Sequence, residues 1–427
     1  MNPNVMKKLL VFIALFSILA PQYFAQVDPK ERQIVEYIDK HQSQALELLK
    51  RSVDTESPTE DVVGVKADGM IFSKEFASIG MNVKWLDLPA SMKRAGHLLA
   101  ETTGTKGKRL LLLGHLDTVL KGEKYRVEGN TAYGTGIADM KGGNVIILQA
   151  LKALHAAGAL KDTRIIVMLT GDEEDSVDPV EVARGDMIKA AKRSDIALSF
   201  EGTVNNTATV GRRGSSSWTL EITAKTGHSS QILREGMGNG AIFEASRILN
   251  EFREKLGSEK YLSFNPALIV GGTTVETKDA AGTASGKTNV VPARVLINGD
   301  LRFISESQKT NARDRMREIV SRSLAGTTSK ITFFDGLPAM TPNEGNYKLL
   351  EQLDQVSQDL GFGKVEALDP GDRGAGDVAF VSDLIPSLDG IGIGGGRNSH
   401  ATGESARIDT MPMLTKRAAI LIYRLTR

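Results

Sequence analysis

Apolar residues recur along this chain with two periods, and each change of period marks where one kind of element gives way to another. From Glu31 to Val53 they fall at helical spacing (Ile34, Val35, Ile38, Ala45, Leu48, Leu49). Ser57-Pro58-Thr59-Glu60 reads as the start of a further helix, a polar cap with proline just inside it, running to about Ala77 and stopping at Gly80. Met81–Trp85 and His97–Glu101 read as short strands. Arg109–Leu113, Arg164–Leu169 and Ile196–Phe200 are nearly unbroken apolar runs, which predict strands buried on both faces. Helical patterns over Gly142–Ala157 and Pro179–Ala191 separate them. Strand, helix, strand, helix, strand implies an α/β fold built on a doubly wound, mainly parallel sheet.

Near Gly211 the pattern changes. Trp218–Ala224 alternates as a half-exposed strand, Ala267–Thr274 and Val290–Phe303 are further strands, and Gly240–Lys255 and Glu306–Ala325 are helices. Such a set predicts a small α+β domain, ferredoxin-like, inserted into the first. The α/β pattern is expected to return from about residue 328 and to end in a helix over Met411–Leu425. The predicted division is therefore 1–25, 26–210, 211–327 and 328–427, the second and fourth segments forming one domain.

The first segment has a character of its own. Lys7-Lys8 precedes an apolar run from Leu9 to Ala20, and Pro21 and the Phe24-Ala25-Gln26 break follow. That is the layout of a secretory signal peptide, with cleavage expected after Ala25, and the run is shorter than the ~20 residues of a membrane span. The chain has no cysteine, so disulfides, thiolate metal sites and a lipid anchor on cysteine are all excluded. A cysteine-free exported protein fits a bacterial periplasm or medium. Lys+Arg is 53 and Asp+Glu is 52, which gives no electrostatic reason for a nucleic acid partner or an anionic membrane surface.

Candidate chemistry collects where the buried runs end. Gly114-His115-Leu116-Asp117-Thr118 follows the first, Gly171-Asp172-Glu173-Glu174-Asp175 the second and Glu201-Gly202 the third. Late in the chain, Gly394-Gly395-Gly396 and Ser399-His400 follow another apolar stretch. Open α/β sheets bind ligands at the carboxyl ends of their strands. Gly134-Thr135-Gly136-Ile137-Ala138-Asp139-Met140-Lys141-Gly142-Gly143 puts Asp139 at a helix start and lacks the third glycine of a dinucleotide fingerprint. Without thiolates, zinc is held by imidazole and carboxylate. A pair of zinc ions needs a bridging carboxylate and a base free of metal duty, and adjacent Glu173 and Glu174 can divide the roles of base and ligand. Asp117, two residues from His115, is placed to orient its imidazole. Asp172 and Asp175 read as solvent-facing. His41, His97 and His155 read as ordinary packed or surface residues, and Arg212 and Arg213 as surface or hinge residues.

Together these segments resemble the two-zinc metallopeptidase family of glutamate carboxypeptidase, aminoacylase and succinyl-diaminopimelate desuccinylase. HLDTV, GTGIADMKGG, GDEED, SFEG, GRRGSSSWTLEITAKTGHSSQ, TNVVPARVLINGDLRF and GGGRNSHATGE carry the resemblance, in order, over nearly all of the chain after the signal. The resemblance implies His115 on one zinc, His400 on the other, Asp139 bridging, and Glu174 and Glu201 as terminal ligands. Cobalt or manganese suits the same donors. It further implies Glu173 as general base, Asp117 as the holder of His115, and a cis peptide at Asp139-Met140. The inserted domain would be a lid and homodimer interface. Its His228 would stabilise the oxyanion, and its Asn289 and Arg302 would hold a substrate carboxylate. Gly374-Ala375-Gly376-Asp377 would line the pocket. The chain departs from the family at Asp175-Ser176-Val177-Asp178, where glycine is usual, and at Gln231, near a usual proline. The expected activity is hydrolysis of an amide bond in a small peptide or N-acyl amino acid with a free carboxylate. An aminopeptidase would instead hold a free amine, and an exported solute-binding protein would have no use for Glu173 as a base.

Overall fold

A computed structural model describes residues 27–278 and 281–427. The expected signal, residues 1–25, lies outside them. The chain divides into two compact units: Met1–Val210, Asn343–Leu368 and Leu384–Arg427 in the first, Gly211–Pro342 and Asp369–Asp383 in the second. Among the described residues no helix is long and apolar enough to cross a membrane.

The first unit is built on a six-stranded sheet in the order Asn82–Leu86, His97–Glu101, Thr163–Thr170, Lys106–His115, Ile196–Ser199, Ser387–Leu388. The first two pairings are antiparallel and the other three parallel, so the sheet is mixed and mostly parallel. The parallel centre coincides with the unalternated runs: Leu110 to Leu113 and Val167 to Leu169 have essentially no solvent contact. Gly142–Ala156 is buried almost all round and packs against the helices Pro29–Lys40 and Met411–Leu425. His115 lies opposite Thr170 in the register, which brings the ends of two motif-bearing strands to one edge.

Local breaks depart from the sequence pattern. The expected helix over 31–53 is two, Pro29–Lys40 and Gln42–Asp54, because the His41 backbone leaves helical geometry while its ring stacks on Tyr37 with centroids 3.8 Å apart. The next helix begins at Val62, capped by the Asp61 carboxylate on Gly64 N, and not at Ser57. Ser57 and Thr59 turn toward the strand end instead: Ser57 Oγ donates to Leu116 O at 2.8 Å and Thr59 Oγ1 to Asp117 Oδ2 at 2.7 Å.

The expected helix over 179–191 also divides, into Val180–Ala183 and Gly185–Lys192. At the break Arg184 turns its guanidinium inward, donating to Asp172 Oδ1 at 2.6 Å and to Asp172 O at 3.0 Å. Asp172 is therefore not solvent-facing: it and Arg184 are both fully buried. Removing one member of a buried pair strands the other charge. Arg184→Ala is expected to destabilise the fold by about 3–5 kcal/mol, read as a lower denaturant midpoint at unchanged slope. Asp175 is more exposed and pairs with Arg94.

The second unit is built on the order strand, helix, strand, strand, helix, strand: Gly214–Ala224, Ala241–Leu256, Ser263–Gly272, Arg294–Phe303, Glu306–Ser321, Thr327–Asp335, with a separate antiparallel pair, Thr274–Lys278 and Ala281–Ser285, between the third and fourth of these. Its antiparallel sheet runs Ser263–Gly272, Arg294–Phe303, Gly214–Ala224, Thr327–Asp335, the ferredoxin-like arrangement. Its own core includes Trp218, Ile297, Phe252 and Met316. The boundary expected at 327/328 falls later, because Thr327–Asp335 pairs with Gly214–Ala224 and completes this sheet. Residues 369–383 also belong here. Arg212 is buried and donates to the carbonyls of Gly374 (2.6 Å) and Ala375 (2.5 Å), so it is a clasp within the unit and not a surface residue.

Candidate metal centre

The loop after Lys106–His115, the turn after Thr163–Thr170, the segment after Ile196–Ser199 and the 394–404 loop meet at one place in the first unit. His115 Nε2 lies 3.2 Å from Asp139 Oδ1, and His400 Nε2 lies 3.0 Å from Asp139 Oδ2. One carboxylate thus faces both imidazoles, one oxygen to each. Glu201 Oε1 is 3.8 Å from His115 Nε2, and Glu174 Oε2 is 3.1 Å from His400 Nε2. The donor atoms fall into groups within 4.8 Å of one another: His115 with Asp139 and Glu201, His400 with Asp139 and Glu174, and His115 with Glu173 and Glu174. The first two groups share Asp139.

Backbone geometry makes this meeting possible. Gly136 has φ +76° and leaves room for Thr118, whose Cγ2 would lie 2.5 Å from a Cβ there. A Cβ on Gly143 would lie 2.0 Å from Phe200 O, so the helix can start directly against the strand end that carries Glu201. The Asp139-Met140 peptide is cis, as expected.

Asp117, fully buried, organises the neighbourhood through several contacts. Its main-chain oxygen lies 3.0 Å from His115 Nδ1, nearer than its carboxylate at 3.5 Å. The carboxylate accepts from Glu173 N and Glu174 N at 3.1 Å each, and from the Thr59 hydroxyl. Asp117 therefore fixes the imidazole mainly through its backbone and fixes the Glu173-Glu174 turn through its side chain.

The electrostatics favour positive charge here. Burial alone would raise the Asp139 carboxyl, but hydrogen bonds from His115 and His400 outweigh it and hold Asp139 well below the carboxylate range. His400 is pushed up to about 10 by its bonds to Asp139 and Glu174. Burial alone would lower His115, yet its bonds to Asp117 and Asp139 hold it well above the usual imidazole value. Burial raises the Glu174 carboxyl, and the Asp139 charge adds to that. Two imidazoles and four carboxylates at such spacing suit a pair of divalent cations, and the all-N/O donor set suits zinc.

Three supporting residues are absent from the set read off the sequence. Glu404, buried, accepts from the backbone of Gly136, Ala138 and Asp139. Burial pushes its carboxyl up to about 7, although those bonds pull it down. Lys141 Nζ, also buried, donates to Ser52 O and Thr55 O at 2.7 Å each. Asn144 Nδ2 donates to His115 O at 2.6 Å. Glu404 closes the motif GGGRNSHATGE and Lys141 lies within GTGIADMKGG; their partners here are main-chain atoms, which no side-chain pattern announces.

His228, Asn289 and Arg302 lie in the second unit, where His228 and Asn289 sit on two bridged segments and Arg302 lies apart from them. His228 is exposed, its Nδ1 lies 2.8 Å from Ser230 Oγ, and Asn289 O accepts from the neighbouring Ser229 N. Arg302 is toward the far end of Arg294–Phe303, about 26 Å along the strand from Arg294 at ~3.3 Å per residue. Its Nε donates to Asp300 Oδ2 at 2.5 Å, so one edge of its guanidinium is already engaged.

Residues 111–424 match the model of peptidase family M20/M25/M40. Carboxypeptidase G2 of Pseudomonas sp. (strain RS-16) is 27% identical over 99% of this chain and 98% of its own length. Among solved structures, the chain resembles an aminopeptidase, PepT, from Bacillus cereus (TM-score 0.70, 16% identity, 90% of this chain and 99% of that one). It also resembles a dinuclear metal binding peptidase of the M20 family from Bacillus subtilis (TM-score 0.63, 13% identity, 91% and 99%). At these identities the two structures speak for the fold alone.

Proposed function

This chain belongs to peptidase family M20/M25/M40, and from that premise we propose that it is a two-zinc hydrolase cutting an amide bond beside a free carboxylate, in a small peptide or an N-acyl amino acid. The observation that carries the reading is Asp139, whose two oxygens face His115 and His400, with Glu173 and Glu174 beside them. His115, Asp139 and Glu201 would hold one cation, and His400, Asp139 and Glu174 the other. When bound, such a pair supplies Lewis acidity and brings the acidity of a water near neutrality.

The chain's own groups do the rest. Glu173 has its backbone held by Asp117, which seats its carboxylate beside His115 and Glu174. That carboxylate takes a proton from the attacking water and gives it to the leaving nitrogen. Asp117 O keeps the His115 ring in the tautomer that presents Nε2. The carboxylate preference is supported by the carboxypeptidase G2 likeness across essentially the whole chain. His228, with Nδ1 committed to Ser230, keeps Nε2 for a substrate carbonyl, and Asn289, on the segment bridged to His228, and Arg302 are the residues for a substrate carboxylate. The basic, then apolar N-terminal sequence supports export, and the inserted unit supports a homodimer.

The test is release of free amino acid from N-acyl amino acids and dipeptides with free and amidated C-termini, with and without chelator. Cleavage confined to free carboxylates and abolished by chelator is the expected result. Cleavage of amidated peptides that carry a free amine would move the reading to an aminopeptidase. No cleavage at full zinc loading would point to a solute-binding protein.

A further inference from the structure

The two halves of the candidate centre are far apart in sequence, 261 residues between Asp139 and His400. One residue ties them together. Glu404 stands four positions after His400, immediately before the strand Ser405–Arg407, which pairs with Thr131–Tyr133. Its main-chain oxygen accepts from Gly134 N at 3.1 Å. Its side chain then takes three amides in the same loop: Oε2 from Gly136 N at 2.6 Å, Oε1 from Ala138 N at 2.9 Å and from Asp139 N at 3.1 Å. Glu404 is almost wholly buried, at 4% exposure. Gly403 N, just before it, is held by Glu123 Oε2 at 2.8 Å.

The chemistry demands a carboxylate. Three converging N–H groups need an acceptor-only partner with several lone pairs, and an amide side chain would turn a donor toward one of them. The contact to Asp139 is through its backbone nitrogen, which leaves both carboxylate oxygens for the imidazoles.

We infer that Glu404 is the positioning residue of the centre: it sets the Asp139 backbone against the His400 loop so that one carboxylate serves both cation sites. It touches no reacting atom and acts through Asp139. This rests on the two-cation reading above.

The test is competition titration of metal-free wild type, Glu404→Gln and Glu404→Asp with zinc against a chromophoric chelator, together with the visible spectrum of each protein loaded with cobalt. Groups that orient metal ligands typically contribute about 10–100-fold in affinity. Glu404→Gln is expected to weaken zinc binding about 10–100-fold and to change the cobalt spectrum, while thermal unfolding of the metal-free chain stays cooperative. Glu404→Asp, which keeps the charge but is one methylene too short, is expected to be impaired as well. Wild-type affinity and spectrum in Glu404→Gln would overturn the inference. So would full affinity in Glu404→Asp, which would make charge and not reach the requirement. If neither variant folds, Glu404 is a residue of the fold at large and the inference also falls. A wild-type chain that binds no cation would overturn the two-cation reading itself.

Discussion

Glu173→Gln is expected to lower kcat by about 10²–10⁴-fold while both zinc equivalents stay bound and KM changes little. The substitution keeps the shape of the side chain and removes its capacity to accept a proton. The backbone contact that seats the residue, Glu173 N to Asp117 Oδ1, is untouched. Neither Asp139-sharing group includes Glu173, which is why the metals should remain. The check is metal content by atomic absorption beside steady-state kinetics. Loss of one zinc together with activity would mean that Glu173 is a ligand and that the base must be sought elsewhere.

Asp139→Ala should remove both metals at once. His115 and His400 face opposite oxygens of this one carboxylate, and both proposed cation groups, His115-Asp139-Glu201 and His400-Asp139-Glu174, include it. Glu201→Ala, by contrast, removes a donor from the His115 group alone and should leave one zinc. Dialysis against buffered zinc that saturates the wild type, followed by metal analysis, separates the two. Equal losses in both variants would contradict a shared carboxylate. Hydrolysis should disappear in Asp139→Ala whatever the substrate.

Much of this centre is legible in the sequence because parallel strands leave a readable mark. Buried on both faces, Arg109–Leu113 and Arg164–Leu169 show no alternation, so their ends can be located and the His and carboxylates just beyond them picked out. His115, Asp139, Glu174, Glu201 and His400 come together accordingly. Glu404 is not legible in that way, since its partners are backbone amides of residues 136–139. Asp172 reads as solvent-facing because nothing in the sequence ties it to Arg184, twelve residues on. The last strand of the second unit, Thr327–Asp335, lies at a sheet edge with mostly half-exposed residues, so its pattern lacks the apolar run that marks a buried strand. Motif order groups Asn289 with Arg302, yet the extended strand Arg294–Phe303 lies between them and separates its two ends by tens of ångströms.

Two cations shared through Asp139 are tested most directly by stepwise zinc titration of the metal-free chain, with hydrolysis of an N-acyl amino acid followed at each step. Two equivalents are expected to bind, and full activity is expected to require the second. Binding of one equivalent or none, or activity that chelator leaves intact, would contradict a shared two-cation centre.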